Sequence, residues 1–299
     1  MDFSQINEQP KLQVIHHPDA LSNDIDLQVL RLDETHPHLS GNKWYKLKYN
    51  LLEASRLGHN TLLTFGGAYS NHIHAVASAA RLFGFRSIGI IRGEAHATLN
   101  PTLSFAIECG MQLKYVDRTT YRDKTNSAFL DSLKREFGDF YLIPEGGTNE
   151  LAIKGASEIL HAVDKAFDYY FVPVGTGGTI TGLINSLNNQ GRVIGVSALK
   201  GSFLQGEVTE LLNQYTQGSF DNWLMNNNYH FGGYAKVNPT LIDFIRAIEN
   251  DYQLPLEPIY TGKMLFGIID MISREEIPKG SKVLAIHTGG LQGRAGFGL

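Results

Sequence analysis

Apolar and polar positions change period repeatedly along this chain. Residues 27–32 (Leu-Gln-Val-Leu-Arg-Leu) read as an extended segment, and residues 47–57 read as a helix. From residue 61 the alternation becomes regular. Apolar runs at 61–65, 86–91, 112–116, 140–143, 169–174, 193–198 and 282–286 have the length and composition of buried strands. Helical stretches run from the glycine turn at 66–72 to about 83, then over 99–110, 124–137, 151–165, 203–217, 238–249 and 263–272. Strands alternating with helices predict βαβ units and parallel sheets, with right-handed crossovers. The expected fold class is therefore α/β with two sheets, and the turn-rich stretch 144–149 reads as a crossing between domains. Residues 1–26 lack a period and read as irregular. Glycine turns end several predicted strands, where α/β sheets hold their ligands.

Composition narrows the classes. The 299 residues are 42% hydrophobic and 19% charged, as in an ordinary globular protein. A formal net charge of −4 and the lack of a basic run argue against nucleic acid as a partner. No apolar run reaches the roughly 20 residues of a membrane span, and residues 1–5 do not resemble a secretion signal. Cys109 is the only cysteine, which excludes an internal disulfide and suits a reducing cytoplasm.

Candidate chemistry collects at the glycine turns. Gly175-Thr176-Gly177-Gly178-Thr179 joins a strand to a helix, where free N–H groups and the helix dipole converge on an anion. Dinucleotide spacing needs glycine at 180, which is Ile180, and no acidic residue follows about twenty positions on. The loop therefore reads as a cradle for one phosphate; the plain alternative is a tight turn. Gly67-Ala68-Tyr69-Ser70-Asn71-His72 opens another helix, but it lacks the serine-hydrolase elbow. Ser70 reads as a carboxylate contact or simply as a helix cap. Tyr234 and Tyr260 precede or end loops; each is an acid or base only if a cation lowers its pKa, and otherwise it is packing. Thr288 ends the last strand in His287-Thr288-Gly289-Gly290. Lys43 and Lys46 in Ser40-Gly41-Asn42-Lys43-Trp44-Tyr45-Lys46 share one helical face, which is unfavourable unless an anion lies between them or one is uncharged. His36 and His38, and likewise His72 and His74, lack the further ligands or the spacing for a metal, and none is expected. A lysine amine, a monophosphate cradle, a donor for a phenolic oxygen and a hydroxyl for a ring nitrogen together describe pyridoxal phosphate.

On these residues the chain resembles, over nearly its whole length, the fold-type II pyridoxal-phosphate enzymes, in the branch of 1-aminocyclopropane-1-carboxylate deaminase and D-cysteine desulfhydrase. The motifs are Arg31-Leu32-Asp33-Glu34, Gly41-Asn42-Lys43-x-x-Lys46-Leu47, Gly67-x-x-Ser70-Asn71-His72, Gly175-Thr176-Gly177-Gly178-Thr179, Pro258-x-Tyr260-x-Gly262-Lys263 and His287-Thr288-Gly289-Gly290. The resemblance implies two open, mostly parallel twisted sheets flanked by helices, with the cofactor in the cleft between a large domain (1–48 and 149–299) and a small one (49–148). It implies that Lys43 is the Schiff-base lysine and that Lys46 and residues 175–179 hold the phosphate. Asn71 would meet the phenolic oxygen, and Thr261 and Thr288 would be the hydroxyls near the ring nitrogen. Ser70, Asn71 and His72 would hold the substrate, with Ser70, Tyr234 and Tyr260 as catalytic groups beside Lys43. It also implies a small amino acid as substrate and a homodimer. Ring-opening deaminases resemble each other in having glutamate where this chain has Thr261. A neutral hydroxyl makes the cofactor a weaker electron sink, which suits elimination of a good leaving group, as from D-cysteine. Ring opening of the cyclopropane substrate is the alternative, and a protein that binds the cofactor without turnover is the alternative of another class.

Overall fold

The computed structural model describes residues 1–95, 98–163 and 166–299. In chain order it contains β1 (Lys11–Val14), α1 (Pro18–Ser22), β2 (Asp26–Arg31), α2 (Asn42–Arg56), β3 (Thr61–Gly67), α3 (Asn71–Phe83), β4 (Arg86–Arg92), α4 (Pro101–Glu108) and β5 (Met111–Val116). There follow α5 (Arg118–Arg122), α6 (Ser127–Phe137), β6 (Tyr141–Ile143), α7 (Glu150–Ala156), β7 (Tyr169–Val174), α8 (Gly178–Leu187), β8 (Arg192–Ser197), α9 (Phe203–Tyr215), β9 (Trp223–Asn226), α10 (Pro239–Tyr252), α11 (Thr261–Ser273) and β10 (Lys282–His287).

The strands form two sheets. One has six strands in the order β1-β2-β10-β7-β8-β9, parallel except for β1. The other has four parallel strands in the order β5-β4-β3-β6. Helices cover both, so the central strands are buried on both faces and read as continuous apolar runs. In the larger sheet β2, β7 and β10 are adjacent. The lysine helix that follows β2, the glycine loop after β7 and the Thr288 turn after β10 are thereby gathered at one sheet edge, although they are far apart in sequence.

Several boundaries differ from the sequence expectation. Residues 1–26 are not wholly irregular: β1 pairs antiparallel with β2, with Leu12 facing Leu30, but as an edge strand it is half exposed and carries no apolar period. The helix expected over 124–137 starts three residues later, at Ser127, because Asn126 caps it there, and the short α5 before it was not expected. The helix expected over 151–165 ends at Ala156 and passes into turns; its last two expected residues lie outside the described residues. β9 pairs with β8 at the sheet edge and was absent from the sequence reading. α2 begins at Asn42, five residues earlier than expected, and runs unbroken through residue 48.

Candidate active site

Gly41 starts the site. Its φ of 72° is left-handed, and a Cβ there would lie 2.0 Å from the Thr288 carbonyl oxygen. Only glycine allows both. The Gly41 N–H donates to Leu32 O (2.7 Å) and the Asn42 N–H to Thr288 O (3.3 Å), so the start of α2 is sewn to the ends of β2 and β10. Lys43 follows in the first turn, half-buried. Its Nζ donates to Asn42 Oδ1 (2.9 Å), while Asn42 Nδ2 donates to Thr179 Oγ1 (2.8 Å). Asn42 therefore bridges the amine to the glycine loop. Burial lowers the Lys43 pKa to about 8, against an opposing pull from the Glu257 carboxylate. At neutral pH this leaves an appreciable fraction of free amine, which is the nucleophilic form.

Lys46 lies one turn on and is buried. Its Nζ donates to Gly146 O (2.5 Å), Thr148 Oγ1 (2.9 Å) and Thr176 Oγ1 (3.5 Å), tying the turn at 145–148 to the loop after β7. Burial first, and then the Lys43 charge, push its pKa well below normal. The like-charge conflict between the two lysines is thus eased by lowering both.

The Gly175–Thr179 loop fits an anion. The helices that start at Asn71, Pro101, Arg118, Ser127, Glu150 and Pro239 have side-chain caps, whereas α8 follows Gly177 (φ 76°) with no side-chain cap. Its first N–H groups have no intrahelical partner. Glycine keeps the approach open. A Cβ on Gly175 would come 3.0 Å from Tyr260 Oη, and one on Gly178 would come 3.1 Å from Lys46 Nζ.

At the start of α3, Ser70 Oγ accepts from the N–H groups of His72 (3.2 Å) and Ile73 (3.3 Å). The hydroxyl spends its lone pairs as a cap, so its O–H remains as a donor; it is not disposed as a base. Asn71 Oδ1 accepts from Gln292 Nε2 (2.7 Å), which turns the Asn71 amide NH2 toward Gly290, where a Cβ would lie 2.5 Å from Nδ2. The His72 side chain is expected to touch substrate, but the structure buries it: its Nε2 pairs with Thr64 Oγ1 (2.9 Å), and its ring lies under Gly147. Burial and the two lysines hold its pKa well below normal, so it is neutral packing between α3 and the 145–148 turn.

The start of α11 supplies Tyr260, and the loop between β9 and α10 supplies Tyr234. Tyr260 and Tyr234 meet edge-on with ring centroids 6.2 Å apart, and Tyr234 is 41% exposed. Burial first, and then the Glu257 charge, raise the Tyr234 phenol above normal; burial, Tyr234 and Glu257 raise that of Tyr260. The lowered pKa that would make either one a base is not present, and both stay protonated. Lys263 Nζ donates to His230 O (2.8 Å) and Gly233 O (2.9 Å), fixing the loop that carries Tyr234. Thr261 is expected to offer its hydroxyl to a ring nitrogen. It is instead 0% exposed, and its Oγ1 is spent on Glu257, accepting from that residue's N–H at 3.0 Å. Thr288 lines a small polar cavity with Lys43, Ser40, Asn71 and Gln292. Asn42, Gln292 and Glu257 are site residues that the sequence reading left without a role. Asn42 and Glu257 stood inside or next to motifs; Gln292 gave no local signal.

A half-buried lysine of lowered pKa, an uncapped glycine cradle and the Asn71 amide, set at the carboxyl ends of two mostly parallel sheets, define a protein built to hold pyridoxal phosphate. The donor set fits that group. The chain belongs to the family described as pyridoxal-phosphate dependent enzyme, whose family model matches residues 14–289. It is 30% identical to the putative 1-aminocyclopropane-1-carboxylate deaminase of Pyrococcus horikoshii, over 99% of this chain and 94% of that protein. It is 31% identical to the bifunctional D-cysteine desulfhydrase/1-aminocyclopropane-1-carboxylate deaminase, mitochondrial, of Arabidopsis thaliana, over 92% of this chain and 74% of that protein. The crystal structure of an ACC deaminase homologue superposes with a TM-score of 0.84 at 26% identity, over 97% of this chain and 92% of that one. Among the described residues no helix is long and apolar enough to cross a membrane.

Proposed function

We propose that this protein uses pyridoxal phosphate to eliminate the β-substituent of a small amino acid, with D-cysteine as the model substrate. The balanced reaction is D-cysteine plus water to pyruvate, hydrogen sulfide and ammonia. The observation that carries the reading is the Lys43 amine, held by Asn42 beside the uncapped loop and lowered to about 8. When bound, the cofactor supplies an aldehyde for a lysine amine and a pyridine ring that withdraws electrons from the substrate α-carbon. Lys43 would anchor it and then take the α-proton. Residues 175–179 would hold the phosphate, backed by Lys46. Asn71, oriented by Gln292, would donate to the phenolic oxygen, and Thr288 is the hydroxyl available to the ring. The Ser70 O–H would hold the substrate carboxylate. Tyr234 and Tyr260, both protonated, would act as donors at the leaving group. Thr261 in place of glutamate supports elimination over ring opening. Ring opening is kept as a second reading because the relatives carry that name.

The same reading takes residues 1–48 and 149–299 as a large domain and 49–148 as a small one, in a cytoplasmic homodimer. The six-stranded and four-stranded sheets support the division. Purified protein with the cofactor's visible band, releasing sulfide and pyruvate from D-cysteine, is the expected result. Release of 2-oxobutanoate from the cyclopropane substrate alone would transfer the proposal to ring opening. A coloured protein inert to both would leave a cofactor-binding protein without turnover, and a protein that takes up no cofactor would refute the reading.

A further inference from the structure

The cleft holds one buried carboxyl group that the proposed chemistry does not use. Glu257 is 0% exposed, four residues before Thr261. Its Oε2 accepts from the Ile259 N–H (2.8 Å), and its Oε1 accepts from the N–H groups of Tyr260 (2.8 Å) and Thr261 (2.7 Å). The Thr261 hydroxyl lies a further 3.2 Å from Oε1. Every one of these partners is a donor, an arrangement that suits an ionised carboxylate and would repel an amide NH2 group. The charge sits at the N-terminus of α11, where the helix dipole favours it. Burial nonetheless opposes ionisation and raises the pKa, with the N–H donors pulling the other way.

The position is functional in its surroundings. A Cβ on Gly290 would lie 3.5 Å from Glu257 Cγ and 2.5 Å from Asn71 Nδ2, and Gly290 lines the small cavity that contains Lys43. The turn that Glu257 ties down ends in Tyr260, whose hydroxyl closes on Gly175. Tyr260 itself has non-helical angles (φ −125°, ψ −70°) and caps α11, its carbonyl accepting from the Met264 N–H (3.0 Å). The Glu257 charge draws the Lys43 and Lys263 pKa values up and adds to the raising of the Tyr234 and Tyr260 phenols, while the Lys43 charge lowers Lys46 of α2 and His72 of α3.

We propose that Glu257 is a positioning residue of this site: its fixed negative charge holds the 257–261 turn, and with it the Tyr260 ring, against the phosphate loop, and it favours the ammonium form of Lys43. The charge absent from position 261 is thus present one layer deeper, where it acts on the lysine and the phenols. The inference rests on the reading of Lys43 as the cofactor's anchor.

The test is the pH midpoint of Lys43 labelling by a small amine-reactive ester in cofactor-free full-length protein, read by peptide mass spectrometry. In Glu257→Gln the midpoint should fall by on the order of one unit, since an opposite charge no longer favours the ammonium form. In Glu257→Asp, which keeps the charge, it should stay near the wild-type value. A Glu257→Gln midpoint equal to wild type overturns the inference. If that variant does not fold, NMR of wild-type protein carrying carbon-labelled glutamate, assigned with Glu257→Asp, decides the matter. An ionised Glu257 at neutral pH supports the inference and a protonated one overturns it. Protection of wild-type Lys43 from the label by pyridoxal phosphate tests the parent reading separately. Its absence would sink the anchor assignment whatever Glu257 does.

Discussion

Lys43 is the residue on which most of the chemistry turns, and its environment makes two predictions. Its Nζ is half-buried and lowered to about 8, so capture of added pyridoxal phosphate by the cofactor-free protein should accelerate with pH and level off above about 8. An ordinary lysine would go on accelerating to about 10.4. Stopped-flow absorbance across that range checks it. Lys43→Ala should lose the covalently bound cofactor and about a thousandfold or more of the turnover, the scale of a missing general base. Full activity in that variant would remove the assignment. Asn42→Ala should hurt less, because it frees the amine from one hydrogen bond and unties Thr179 without removing the nucleophile. The lysine, Asn71 and the glycine loop were legible from their motifs. The burial of Thr261 and His72 and the raised phenols were not, since each depends on partners distant in sequence or on which way a side chain turns.

At the scale of elements, the site depends on how closely α2 can approach its neighbours. α7 packs on α2 through Gly155, where a Cβ would lie 1.8 Å from the Tyr45 carbonyl oxygen. Gly182 on α8 meets Ala156 of α7 in the same way. These small residues let the lysine helix and the phosphate helix share α7 as a common support. Gly155→Ala should therefore force α2 outward, costing about 1–3 kcal/mol, the usual scale of overpacking. It should also weaken cofactor binding although it touches no site atom. Chemical denaturation and a cofactor titration measure the two effects. Gly177→Ala should act more locally: the left-handed φ of 76° costs a residue with a side chain about 1–2 kcal/mol. The periodicity located α3, β7 and β10 well, because long apolar runs and glycine turns mark them. It missed β1 and β9, which lie at sheet edges and are only half-buried, missed the five-residue α5, and started α6 three residues ahead of its Asn126 cap.

For the whole molecule, burying three lysines near one cleft couples stability to pH. Lys43 and Lys263 fall to about 8 and Lys46 falls further, all below the usual 10.5. Between about 8 and 10 the unfolded chain binds more protons at these positions than the folded one, so stability rises with pH in that window. The melting temperature of the cofactor-free protein should accordingly increase from about pH 8 to 9, above which the tyrosines whose pKa values burial raises oppose the trend. A flat or falling curve would mean that the lysines are not buried as described. Cofactor binding should raise the melting temperature further by mass action, as it binds only the folded chain.

What the sequence determined by itself was the alternation of strand and helix, and so the parallel α/β class. It also determined the candidate cofactor chemistry, because glycine turns, a lysine pair and a phosphate-type loop are local patterns with local causes. The tertiary structure decided which of those groups face one another. Strand order placed β2, β7 and β10 side by side and brought residues 43, 179 and 288 together. Burial, which is a property of the packed whole, set the protonation of Lys43, Lys46, Tyr234 and Tyr260. It also put Glu257, silent in the sequence, beneath the turn that carries Tyr260, because a hydrogen bond or a lowered pKa depends on distance in space and not on distance along the chain.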